Sequence, residues 1–456
     1  MEDYLIMRST LLQLAIWIAC WMAGRIDAQQ SSPAGLDHLI AHAPKSPSLA
    51  AWTFDPSDLR QDLRQLPIGV FDSGIGGLTV LEAILGLDAY NNDTLQPGAD
   101  GRKDFEGESF VYLGDQANMP YGNYPAAGQI DYLRELILKD AIFLLGRRYW
   151  PDTNSTEPVF TKQPVKAIAI GCNTATAYGL TDINSALKTW NLPVFAIGVV
   201  QAGARGVVQL PDAVIGHESS IAVLATVGTC RSEAYPRAIQ QALGQAGRRQ
   251  PAILQKGFVD LAAAIEGDPQ VLARNSVQQI VHRDIREMLE SHKQSGSGQP
   301  ISTVILGCTH FPLVKEQIIN TLRDLRELKE EGQYPYQSLI AESIHVVDPA
   351  EWTARELFRS LALARLRAAS TDQQSGSEPS IDFFISAPNP RCPSVQLGPD
   401  AGLDPSYKIA RQPGQLTVED TIVVPLQLDQ IPAGSLNLIR HQLPHVWSGM
   451  KRQNDQ

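Results

Sequence analysis

Short apolar runs alternate with longer amphipathic ones along most of this chain. Ile68–Phe71, Phe110–Leu113, Ala167–Ile170 and Val194–Ile197 read as buried strands. Between them Leu78, Val80, Leu81, Ile84 and Leu85 fall at helical spacing, and Ile130–Leu145 and a segment from about Ala175 follow the same period. The alternation repeats downstream. Strands are expected at Ile221–Ala225, Val304–Leu306 and Val346–Asp348. Helices are expected through Ala234 and Ile239, around Ile280–Leu289, from Leu313, and over Trp352–Ala368, with an apolar stretch at Phe258–Ile265. Strands alternating with helices predict an α/β fold with parallel sheets covered on both faces. Residues 91–108 and 151–164 interrupt the pattern as polar loops, and 29–65 reads as a linker. Beyond about Thr371 the chain turns to Ser, Pro, Asp and Gly. Asp382–Ile385 is placed back in the first sheet, and Thr421–Leu426 reads as one further strand.

Two of the strand ends are near copies. Ala169-Ile-Gly-Cys172-Asn-Thr174 matches Ile305-Leu-Gly-Cys308-Thr-His310. Upstream of each lies an apolar strand running into a hydroxyl-and-glycine turn, Phe71-Asp72-Ser73-Gly74 in one half and Ala225-Thr226-Val227-Gly228-Thr229 in the other. Ligands of open α/β sheets bind at the carboxyl ends of strands. One thiol from each half suits a reaction that needs acid/base groups on opposite faces of a small molecule, as inversion at carbon does.

Composition narrows the field. The 456 residues can bury one large or two medium cores, and 43% hydrophobic with 19% charged residues is ordinary for a globular enzyme. A formal net charge of -11 without a basic stripe argues against a nucleic-acid surface. The cysteines (Cys20, Cys172, Cys230, Cys308, Cys392) are too scattered for a disulfide scaffold. Leu11–Ala23 is an apolar stretch too short for a comfortable membrane span, so no stable span is expected. It matches the core of a signal peptide covering 1–28, with Met7 as the start and Gln29 as the first mature residue. The chain is therefore read as exported or periplasmic, or as cytoplasmic if the leader stays uncleaved. An oxidising compartment would expose two facing thiols to disulfide formation.

Residues 66–370 resemble the cofactor-independent glutamate racemases of the aspartate/glutamate racemase superfamily. The resemblance rests on Phe71-Asp-Ser-Gly-Ile-Gly-Gly77, Gly114-Asp115 with Pro120-Tyr121-Gly122, Cys172-Asn-Thr-Ala175, Ala225-Thr226 with Gly228-Thr229, and Gly307-Cys-Thr-His-Phe-Pro312. It implies two pseudo-symmetric parallel-sheet α/β domains facing across a cleft, the second (199–325) inserted in the first (66–198 with 326–390). Residues 391–456 then form an extension of unknown role. It also implies glutamate as the small-molecule partner, racemised to supply D-glutamate for peptidoglycan without cofactor or metal, and it allows a homodimer. The chain departs from the family at Gln201, where an acidic or basic residue is common.

The resemblance implies Cys172 assisted by Asp72 and Cys308 assisted by His310 as the catalytic set. Substrate would be held by Asp72, Ser73, Pro120, Tyr121, Gly122, Asn173, Thr174, Thr226, Thr229, Thr309 and His310. A thiol with an ordinary pKa of about 8.5 needs only modest tuning to act as base or acid near neutrality. Each residue also has a plainer reading. Free cysteines are often small buried hydrophobes, Asp72 and the short hydroxyls stand where helix caps stand, His310 could be a core histidine, and Tyr121-Gly122 a turn. Gly74-Ile-Gly76-Gly77 is a weak nucleotide signal, since it lacks the third glycine and any Gly-Lys-Ser/Thr. A zinc site from Cys172, Cys308, His310 and Asp72 would tie up both thiols. The alternatives to glutamate racemisation are an aspartate or other acidic amino-acid racemase, or an exported non-catalytic binding protein on the same scaffold.

Overall fold

The computed structural model describes residues 34–216, 218–296, 298–368, 379–399, 401–415 and 418–455. The expected leader lies outside them. Among the described residues, ten strands form two sheets.

In the first half β1 (Ile68–Asp72), β2 (Ser109–Gly114), β3 (Ala167–Ile170) and β4 (Phe195–Gly198) run parallel. β1 and β3 are buried along their whole length. That is why they read as unbroken apolar runs rather than as alternating ones. The second half holds β5 (Ser220–Thr226), β6 (Ala252–Phe258), β7 (Ile301–Gly307) and β8 (Ile340–Val347), ordered β6-β5-β7-β8 and all parallel. The chain then returns through the helix Pro349–Ala364 to β9 (Ser380–Pro388), parallel to β2, and adds β10 (Thr421–Pro425) antiparallel to β9. The first sheet is thus ordered β10-β9-β2-β1-β3-β4.

The order in which strands are added switches side at the same place in both sheets. From β1 the chain goes to β2 on one side and β3 on the other; from β5 it goes to β6 and then β7. The crevice at the carboxyl ends of such a strand pair is a topological switch point. Asp72 and Cys172 stand at the first, and Thr226 and Cys308 at the second.

Two expectations need correction, and two segments gain structure that the sequence does not announce. Residues 34–65 are no linker: the helix Ala34–His42, two short 3₁₀ turns and the chain between them bury Leu36, Leu39, Phe54, Leu59 and Leu63 in the first half's core, and Trp190 donates its indole N–H to the Ile40 carbonyl at 2.7 Å. The second sheet does not stop at 325, because β8 pairs with β7. β6 was not anticipated at all. As a half-exposed edge strand interrupted by Gln255 and Lys256, it lacks the apolar run of its neighbours. Finally, 391–456, read as an extension of unknown role, joins the first half: beyond β10, the helix Pro444–Asn454 packs on β9 and on the helix Leu78–Gly86.

Candidate active site

The two switch points open onto one cleft of about 550 Å³ between the halves. Every residue put forward as catalytic or substrate-binding lines it: Asp72, Ser73, Pro120, Tyr121, Gly122, Cys172, Asn173 and Thr174 from the first half, and Thr226, Thr229, Cys308, Thr309 and His310 from the second. Gln201 lies elsewhere, in a separate polar cavity beside Arg205 and Trp352.

On the first side, Cys172 caps the helix Asn173–Thr189, its sulfur accepting the Ala175 N–H at 3.3 Å. The thiol points toward the Ser73 hydroxyl at 3.7 Å and lies within hydrogen-bonding reach of the Asp72 carboxyl. Asp72 also accepts the Gly77 N–H at 2.8 Å. Its capping and functional readings therefore hold together. Burial pushes the Asp72 carboxyl above the ordinary carboxylate range, although His310 and the hydrogen bonds from Gly77, Ser73 and Cys172 pull the other way. Burial, reinforced by the Asp72 charge, likewise pushes the Cys172 thiol far up. The Cys172 thiol is thereby held toward its neutral form.

On the second side, the Cys308 sulfur meets His310 Nδ1 at 3.6 Å, and His310 Nε2 meets Glu266 Oε1 at 2.7 Å. Burial opposes a charge on the ring. The hydrogen bonds and charges of Cys308 and Glu266 outweigh it and hold the imidazolium well above its ordinary 6.5. With both nitrogens protonated, the ring donates to sulfur and carboxylate at once. Here the stored charge is positive.

Glu266 was not anticipated. It ends the short helix Leu261–Glu266 just before the left-handed Gly267 (φ 88°), and no motif marks it. An acid ahead of Gly-Asp-Pro at a helix end is the only local signal, and such acids are common.

The halves touch where they lack side chains. A Cβ on Gly76 would stand 2.4 Å from His310 Cε1, and one on Gly228 would stand 2.7 Å from Gly122 Cα. Nearby, the Thr79 hydroxyl donates to the Thr309 carbonyl at 2.9 Å, and the Thr174 and Thr229 hydroxyls meet at 3.3 Å. Tyr235 donates to Asn173 Oδ1 at 2.6 Å. These cross-cleft bonds fix one half against the other.

Tyr121 is braced from behind. Its hydroxyl stands 2.5 Å from Asp115 and 2.7 Å from Asp140. A phenol has one proton to donate, so one of the two carboxyls must supply the second hydrogen. Burial and the Asp115 charge push Asp140 well up, which marks it as the proton carrier.

Residues 154–357 match the Asp/Glu/Hydantoin racemase family. The glutamate racemase of Latilactobacillus sakei is 31% identical over 256 residues, covering 56% of this chain and 71% of that protein. That of Thermus thermophilus is 30% identical over 295 residues, covering 65% and 79%. That of Pediococcus pentosaceus is 28% identical over 307 residues, covering 66% and 84%. The chain belongs to the Asp/Glu/Hydantoin racemase family, a family of isomerases. Within that family, these relatives carry the name glutamate racemase.

Proposed function

We propose that this protein interconverts L- and D-glutamate by a two-thiol proton transfer, and so supplies D-glutamate for peptidoglycan. The observation that carries the reading is the pair of cysteines at equivalent switch points of two sheets, opening onto one cleft. One thiolate takes the α-proton, leaving a carbanion-like centre. The thiol from the other half delivers its own proton to the opposite face. Each turnover exchanges which cysteine holds the proton, so product of either hand leaves an enzyme ready for its mirror image. By the family resemblance Cys308 takes the proton from the L enantiomer and Cys172 from the D enantiomer. His310 places a positive charge beside the Cys308 sulfur, whereas Asp72 places a buried carboxyl beside Cys172. The Ser73, Thr174, Thr226, Thr229 and Thr309 hydroxyls, with Asn173, offer donors to the substrate's carboxylates and acceptors to its ammonium.

Pure L-glutamate incubated with the purified protein should lose its circular dichroism signal, and faster than L-aspartate does. A signal that persists for both amino acids returns the chain to a binding role, and faster loss with aspartate reassigns the substrate.

A further inference from the structure

Glu266 ends a helix, and the last carbonyls of a helix lack partners inside it. The Glu266 carbonyl receives one from far along the chain: the Ser435 hydroxyl donates to it at 3.0 Å, and Ser435 is only 3% exposed. Ser435 lies on the helix Ala433–Gln442. A Cβ on its neighbour Gly434 would stand 3.3 Å from the same carbonyl and 3.4 Å from Gly267 Cα, so the two backbones are in direct contact. Leu438 packs against the second half's core, while Ile439 and Leu443 join the cluster that includes the first half.

The following helix, Pro444–Asn454, is fastened to the first half. Glu82, on the helix Leu78–Gly86, accepts the His445 and Val446 backbone N–H groups at 3.3 and 2.9 Å and meets His445 Nδ1 at 2.6 Å. Gln453 pairs with both the N–H and the carbonyl of Phe383 in β9. One short segment therefore has its far end on the first half and its near end on the residue that orients His310. The family match stops at residue 357, well before this segment.

We propose that residues 433–454 form a positioning brace for the Cys308 side of the cleft, with Ser435 as the positioning residue that fixes Glu266 against His310. The proposal rests on the racemase reading. A displaced Glu266 would let the His310 ring turn away from Cys308, while Cys172, hydrogen-bonded to Asp72 and Ser73 and reached from His310 only through the charge it casts on Asp72, would feel less.

The test compares full-length protein with Ser435→Ala, Ser435→Thr and Gly434→Ala, the last pressing a methyl on Glu266 without touching the hydroxyl. Chloride elimination from L- and D-configured β-chloroglutamate is measured, because each configuration reports on one base. Ser435→Ala and Gly434→Ala are expected to slow the L-configured elimination about tenfold. The D-configured reaction should stay within about twofold, and Ser435→Thr should recover most of the loss. Equal losses in both configurations, or none, overturn the brace. A wild type that neither racemises nor eliminates fails the racemase reading instead. The His310 ring titration followed by NMR then still decides: its midpoint should fall by about one pH unit in Ser435→Ala, and an unmoved midpoint overturns the proposal.

Discussion

The two halves of the cleft share a scaffold and differ in charge. Each presents a cysteine at the end of a buried parallel strand, at the same switch point of its sheet. Beside Cys172 stands a buried carboxyl whose hold on a proton burial strengthens, whereas beside Cys308 stands an imidazolium backed by Glu266. The two sheets present the same geometry twice. Burial and the Asp72 charge make one thiol reluctant to ionise, and His310 gives the other a counter-charge.

The difference is harder to measure than it looks. The enantiomers have equal free energy in water, so kcat/KM must be the same in both directions at every pH, for the wild type and for any active variant. Asymmetry can appear only in kcat and KM moving together, or in an irreversible reaction. The largest effect is therefore sought in the cysteines themselves. Replacing either Cys172 or Cys308 by Ser should lower racemisation by at least about a thousandfold, within the range of a positioned acid or base. Elimination from β-chloroglutamate should then split: Cys172→Ser acts on the L-configured compound and Cys308→Ser on the D-configured one. The same preference in both variants, or full racemisation by either, breaks the opposed-thiol scheme.

The orienting partners come next. Glu266→Gln should slow L-configured elimination by about tenfold to a hundredfold, the scale on which outer-shell partners act elsewhere. Asp72→Asn should do the same to the D-configured reaction. If both substitutions slow both configurations alike, the half-sites are not independent. A smaller effect is expected where the halves meet. Gly76→Ala pushes a methyl into the His310 ring, so L-configured elimination should suffer most. Gly228→Ala presses on the Gly122 backbone and should slow both. Kinetics of the two alanine variants side by side check this.

Much of this contrast was legible in the sequence. Buried strands such as Ala167–Ile170 announce themselves because no face of them meets water, and the Gly-Cys turns that follow carry their chemistry at fixed spacing. Glu266 was not legible, because its role depends on a fold that brings residue 266 to residue 310. β6 was missed because an exposed edge needs no apolar run. The packed segment 34–65 did carry a signal, Leu36, Leu39 and Ile40 at helical spacing, but one short turn of such spacing among Ser and Pro is weak. The brace at 433–454 is a tertiary fact, since Ser435 meets a carbonyl and leaves no side-chain pattern.

The smallest effect separates the halves by pH in the folding equilibrium. Asp140, behind Tyr121 on the first side, binds its proton more tightly when folded than its ordinary 3.8. The native state then holds more protons than the unfolded one, and stability falls as pH rises above about 4. His310, on the second side, also binds its proton more tightly when folded. Its contribution is complete below its ordinary 6.5 and is lost as pH rises through the higher folded value. Both slopes have the same sign but begin in different windows. Thermal melting from pH 4 to 9 should show Asp140→Asn flattening the decline from its acid end, and His310→Asn flattening only the part above about 6.5. The expected shifts are a few degrees, at about 2–4 °C per kcal/mol for units of this size. If Asp140→Asn leaves the acid end unchanged, the shared proton between Asp115, Tyr121 and Asp140 is not where the hydrogen-bond geometry puts it, and the first half is less acid-rich than its contacts imply.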